Sequence, residues 1–121
     1  MCCRRRTRAS SHNQGVAGEH PVLDIRTYGL VAGGRDEFDR IFREHVRPML
    51  ERHGITVVAA GPSLLGDDRY TLVRSFDSLE QRRERLERFY GSAEWLDSYD
   101  ASVMALIEAY HTVVVPAPPG M

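Results

Sequence analysis

Apolar positions fall in two alternating periods along this chain, and the switches between them divide it into elements. Val22 to Leu30 (VLDIRTYGL) alternates as a strand does, with Leu23, Ile25 and Thr27 on one face and Asp24, Arg26 and Tyr28 on the other. From Arg35 to Gly54 the period becomes helical: Phe38, Ile41, Phe42, Val46 and Met49 recur at three- and four-residue steps, and His45 falls inside that stripe. Ile55 to Ala60 (ITVVAA) is a short β-branched run that predicts a second strand, ended or bulged by Gly61-Pro62. Arg69 to Phe76 (RYTLVRSF) predicts a third, and the Gly66-Asp67-Asp68 turn between them makes a hairpin. Leu79, Leu86, Phe89 and Tyr90 then form a thin helical stripe. Gly91-Ser92 breaks it, and Trp95, Leu96, Tyr99, Val103, Leu106 and Ile107 continue as a further helix. Tyr110 to Val115 (YHTVVV) predicts the fourth strand, and Pro116, Pro118 and Pro119 close the domain.

Local chemistry supports these elements. Asp36, Glu37 and Asp39 lie near the positive end of the first helix dipole. Asp36 with Arg40 and Asp39 with Arg43 stand four apart and can pair on its wet face. Gly54 suits a left-handed C-cap, and His53 beside it is favoured by the dipole. Pro48 has no N–H for the Glu44 carbonyl, which predicts a kink next to His45. Asp77 with Glu80 reads as a capping box for the second helix, and Ser92 as the cap of the third.

The resulting order, β-α-β-β-α-α-β, packs most simply as an α+β, ferredoxin-like antiparallel sheet of strand order 4-1-3-2 with all helices on one face. The other face is then uncovered. If Asp24, Arg26 and Tyr28 lie on it beside Tyr70, Leu72, Arg74 and Phe76, it is half apolar, and a second copy of the same sheet is its simplest cover.

Composition adds limits. The chain has 121 residues, 16 basic and 17 acidic, and every basic residue is arginine. That length suffices for one domain with a core. Residues 1–20 carry a net charge of +3 and the remainder −4, so a mildly acidic body gives no reason to expect nucleic-acid binding. Residues 1–20, almost without apolar side chains, are expected to be disordered, residues 21–118 to form the domain, and 119–121 a short C-terminal tail. The tail is Arg-rich with Ser, as in organelle transit peptides, and its Cys2-Cys3 beside Arg4 to Arg6 also suits a lipidated basic anchor; the plainer reading is an N-terminus without such a role. These adjacent cysteines predict neither a disulfide framework nor a zinc site. They fit a reducing cytoplasm, and no apolar run is long enough to span a bilayer.

The run LDIRTYGLVAGGRDEFDRIFREHVRPMLERHGI resembles the opening of the NIPSNAP domain, through Arg26, Thr27, Tyr28, Glu44, His45, Pro48, His53 and Gly54. FDSLEQRRERLERFYGSAEWLDSY is similar to its second signature, through Asp77, Ser78, Leu79, Glu80 and Trp95. The resemblance implies a homodimeric α+β barrel in which two ferredoxin-like units close their sheets around a shared interior, here covering about residues 22–118. It carries no catalytic residues across. Relatives often have an aromatic residue on strand three where this chain has Arg74.

The candidate ligand-binding residues are Arg26, Tyr28, His45 and Arg74. Arg26 and Arg74, on adjacent strands, either hold an anionic or carbonyl-bearing ligand inside the barrel or serve an ion pair, Arg26 with Asp24 or across subunits. His45 is either a proton carrier or a haem or metal ligand, as sister families of this barrel bind haem or oxidise aromatic compounds without a cofactor, or a hydrogen-bonded core residue. Tyr110 and His111 point opposite ways, so one of them faces the interior. Arg82, Arg83, Arg85 and Arg88 among Glu80, Glu84 and Glu87 predict a solvated, charge-paired helix face. No phosphate loop, Ser-His-Asp spacing or His/Cys metal cluster is present, and no cofactor is expected apart from the haem reading. The expected function is binding of a small organic ligand in the barrel; the alternatives are a cofactor-free monooxygenase or haem-handling enzyme, and a non-catalytic adaptor.

Overall fold

Four strands form one antiparallel sheet in the order β2-β3-β1-β4, the order expected from the sequence. They are β1 (Val22–Leu30), β2 (Thr56–Pro62), β3 (Arg69–Phe76) and β4 (Ile107–Pro116). The computed structural model describes residues 20–120. The disordered tail expected at residues 1–20, with Cys2 and Cys3, falls almost wholly outside them. Between β1 and β2 run α1 (Arg35–Ile41), a π-helical segment (Phe42–Val46) and α2 (Arg47–Arg52). Between β3 and β4 run α3 (Leu79–Tyr90), α4 (Ala93–Ser98) and α5 (Asp100–Met104).

The sheet is covered on the face opposite to the one expected. Asp24 receives a hydrogen bond from Arg82 of α3, Tyr28 packs on Phe38 of α1, and Tyr70 donates to Asp39 of α1. The face of Asp24, Arg26 and Tyr28 therefore meets the helices. Leu23, Ile25 and Thr27, with their cross-strand partners Ser75, Val73, Thr71, Val115, Val113 and His111, form the open face. Alternation separates two faces but does not choose between them. Here the polar face can be buried because Asp24 and Arg74 pair with each other and with α3, while β-branched residues make up much of the open one.

The first helix departs from the expected kink in an informative way. Pro48 offers no N–H to Glu44, and the turn before it widens: the Arg47 N–H bonds to the carbonyl of Phe42, five residues back. This winding brings Ile41, Phe42, Val46, Met49 and Leu50 all into the core. It also turns His45 out of the apolar stripe, with its side chain 44% exposed.

Other expectations shift locally. Arg40 pairs with Glu37 and Glu44 rather than Asp36, while Asp39 and Arg43 do pair, at 2.9 Å. Ser78, not Asp77, caps α3 by accepting from the Gln81 N–H, and the Gln81 side chain accepts from the Asp77 N–H in place of Glu80. Ser92 caps α4 as expected. The bulge in β2 falls at Val58, between Val57 and Ala59, and not at Gly61-Pro62, which extend the strand. Pro62 is tolerated there because β2 is an edge strand. Ile107 opens β4 instead of ending a helix, since the Leu106 carbonyl accepts from the Val31 N–H and draws the chain onto the sheet. The core joins Tyr28, Leu30, Leu72 and Phe76 of the sheet to Phe89, Trp95 and Val103 above it.

A cleft between the sheet and the helices

The third helical region lies over β1 and β4 without closing on them completely. α3 ends at Tyr90, Gly91-Ser92 turns the chain, and α4 and α5 return above the sheet. A cleft of about 220 Å³ remains, lined by Arg26, Tyr28, Tyr90, Trp95, Asp100, Val103, Met104, Ile107 and Tyr110. Beneath it an apolar void of about 20 Å³ shares Tyr28, Tyr90, Trp95 and Val103, and is closed by Phe42 and Val46 of the π-helical segment.

Arg26 is the cation of the cleft. Its Nε donates to Thr112 Oγ1 at 2.9 Å on β4, and its Cζ lies 4.7 Å from the centre of the Tyr110 ring. Those contacts fix the stem and one face of the guanidinium. Among the described residues no carboxylate pairs with it, neither Asp24 nor any other. A half-buried guanidinium without a carboxylate partner is the natural seat of an oxyanion.

Tyr28 is buried, 7% exposed, and a hydrogen bond with Arg26 is among the influences on its hydroxyl. Burial first, and Tyr90 next, push its pKa up to about 12, against the pull of Arg26 and Arg74. It is thus a neutral O–H at any ordinary pH. Tyr90 accepts from Arg74 Nη1 at 3.1 Å. Asp100 accepts from Trp95 Nε1 at 3.0 Å, which fixes the indole as a wall of the cleft.

Arg74 lies behind this lining rather than in it. It is fully buried, and its Nη2 donates to Asp24 Oδ1 at 2.9 Å. Arg82 Nε donates to the other oxygen of the same carboxylate at 2.7 Å, so two guanidiniums share one anion. Burial works against the charge of Arg74, but Tyr90 and Asp24 outweigh it, and its pKa is raised. The Arg74 Nε has no partner among the described residues.

The structure therefore brings Arg26 and Tyr28 together in one cleft, within a single chain and facing the helices. It places Arg74 one hydrogen bond further back. It sets His45 apart, stacked on Tyr99 with ring centres 5.4 Å apart. Tyr110 faces the cleft and His111 the open face of the sheet. Arg82, expected in solvent, instead serves Asp24, while Arg83 pairs with Glu80 and Glu87 on the wet face as expected. Sequence reasoning missed Tyr90, Trp95 and Asp100 as cleft residues. The signal was a helix break at Gly91-Ser92 flanked by aromatic residues, which leaves rings beside a turn.

The NIPSNAP family model matches residues 23–119. A NIPSNAP-like domain protein from Burkholderia xenovorans superposes with a TM-score of 0.77 at 15% identity, covering 85% of this chain and 90% of that one. A NIPSNAP family protein of unknown function from Agrobacterium tumefaciens gives 0.75 at 24% identity, covering 85% and 96%. A Caulobacter crescentus protein described as a "putative antibiotic biosynthesis monooxygenase" gives 0.66 at 14% identity, covering 89% and 99%. No curated protein matches the chain in sequence.

Proposed function

The chain belongs to the NIPSNAP family, and on that footing we propose that it binds a small organic ligand bearing a carboxylate or carbonyl group in the cleft over β1 and β4. The observation that carries this reading is Arg26, a half-buried guanidinium without a carboxylate partner among the described residues, facing a cleft lined by aromatic rings. A pure adaptor has no need of such a cleft and would fill it with side chains. The protein acts as a homodimer through the open sheet face, where Ile25, Val73, Val113 and Val115 present an apolar surface to a second copy, and it resides in the cytoplasm. Among the described residues no helix is long and apolar enough to cross a membrane.

The enzymatic alternatives draw less support. Tyr28 holds its proton and so is not a base at ordinary pH, and Asp100 has one of its two oxygens on the Trp95 indole. The cleft is small for a porphyrin and its lining carries no imidazole or thiolate, while His45 stands outside it, so these residues do not fit haem.

The chain has one tryptophan, and Trp95 lines the cleft, so its fluorescence reports occupancy directly. Titration with benzoate is expected to give a saturable change. Arg26→Gln should weaken that binding about tenfold or more, the cost of losing a charge-assisted hydrogen bond. An unchanged affinity in Arg26→Gln, or no saturable signal from benzoate and other small carboxylates and ketones, rejects the reading.

A further inference from the structure

Hydrogen-bond polarity at Tyr90 narrows the ligand further. A guanidinium has donors only. Arg74 Nη1 lies 3.1 Å from the Tyr90 hydroxyl, so that oxygen accepts and its own proton must point elsewhere. Arg74 is not free to turn away: it is fully buried and held by Asp24, which Arg82 holds from α3, the helix that carries Tyr90. The ring of Tyr90 forms part of the cleft wall, and the cleft is where its hydroxyl proton can find an acceptor. Tyr28 supplies a second observation. It is a buried phenol on the same wall whose oxygen accepts from Arg26, another group with donors only, so its proton too points elsewhere.

We infer that Tyr90, oriented by the Asp24–Arg74 pair, joins Tyr28 and Arg26 in a corner that selects the deprotonated form of a weakly acidic ligand, a phenolate, enolate or carboxylate, over its neutral form. This rests on the cleft being the binding site. The corner combines two hydroxyl donors with one guanidinium, and the lone pair that Tyr90 turns toward Arg74 is already spent. A neutral ligand hydroxyl must donate its proton to an acceptor, and the one carboxylate lining the cleft, Asp100, has its Oδ1 on the Trp95 indole and only Oδ2 left to offer. An oxyanion needs only donors. Binding of a protonated ligand accordingly releases one proton to the solvent. Arg74 and Asp24 touch no ligand in this arrangement; they are positioning residues that act through Tyr90.

Two probes that differ by one methyl group test this: 4-nitrophenol, whose anion absorbs in the visible, and 4-nitroanisole, which cannot ionise. Trp95 fluorescence gives the affinities, and absorbance against pH gives the ionisation of bound 4-nitrophenol. The protein is expected to lower the apparent pKa of the bound phenol by about one unit or more, a tenfold preference for the anion. Tyr90→Phe should return most of that shift while changing the affinity for 4-nitroanisole much less. Arg74→Lys, which keeps a cation beside Asp24 but loses the planar two-nitrogen fork, should lose the shift in part. A merely structural role for Tyr90 would lower both affinities together. The inference is overturned if bound 4-nitrophenol ionises at its buffer pH in the unaltered protein, a result that requires no variant to fold, or if Tyr90→Phe keeps the whole shift. Binding of both probes without preference rejects this inference alone. Binding of neither rejects the cleft as well.

Discussion

At the residue scale, the helix-facing side of the sheet is governed by a few polar side chains that bury well only because each has a partner. Asp24 accepts from Arg74 and Arg82, and removing its charge would leave the buried Arg74 without an anion beside a second, half-buried guanidinium. Asp24→Asn is therefore expected to cost about 3–5 kcal/mol, measured by urea unfolding. Tyr28 adds a dependence on pH. Its folded pKa is raised from 10.0 to about 12, so between those values the unfolded chain gives up the proton first. Stability tied to Tyr28 is then fully present below pH 10 and is lost as pH rises through about 12. Tyr70, raised by burial and then by its hydrogen bond to Asp39, acts in the same direction. Urea midpoints should fall over that alkaline window, and Tyr28→Phe should make the fall shallower. An equally steep fall in Tyr28→Phe would show that other groups dominate.

At the scale of elements, ends and breaks decide where side chains arrive. The π-helical turn before Pro48 lets Phe42 and Val46 share the core and puts the same two residues against the void beneath the cleft. π-turns within helices are often found at functional sites for this reason: one extra residue re-aims a face. α2 is closed by Gly54 at φ +78°, where a Cβ would stand 2.6 Å from Arg85 Nη1. Arg85 lies there because it donates to the Gly54 carbonyl. Gly54→Ala is expected to lose about 1–2 kcal/mol from the left-handed backbone alone. Adding Arg85→Ala removes the crowding but not that strain, so the double variant should stay destabilised in urea. Full recovery would assign the cost to the side-chain contact instead.

At the scale of the whole molecule, the open face of the sheet is the largest feature that a single chain leaves unresolved. Val113 is 56% exposed near the middle of β4, with Ile25 beside it on β1 and Val73 beyond it on β3. Sedimentation at micromolar concentration is expected to give twice the chain mass. Val113→Asp, which places a charge on that face without touching the cleft, should shift the equilibrium toward monomer and preserve benzoate binding by the monomer. A monomer across the whole range in the unaltered protein would remove the dimer and leave the cleft argument standing, because the cleft is built from one chain.

The chain's own periodicity determined the four strands, their order and the placing of helices on one side, since alternation and helical spacing are local properties. β3 was legible to the residue from Arg69 to Phe76. The residues themselves also pointed to Arg26 and Tyr28, two steps apart on one face of β1. Which face the helices would cover was not legible, because Asp24 and Arg74 look like charges for an uncovered face until Arg82 and Tyr90, from a distant helix, provide their partners. His45 was misplaced for a related reason: a helical wheel assumes 3.6 residues per turn, and the winding beside Pro48 does not obey it. The cleft itself belongs to the tertiary structure alone. It exists where α4 and α5 fail to close on β1 and β4, and only packing sets the size of such a gap.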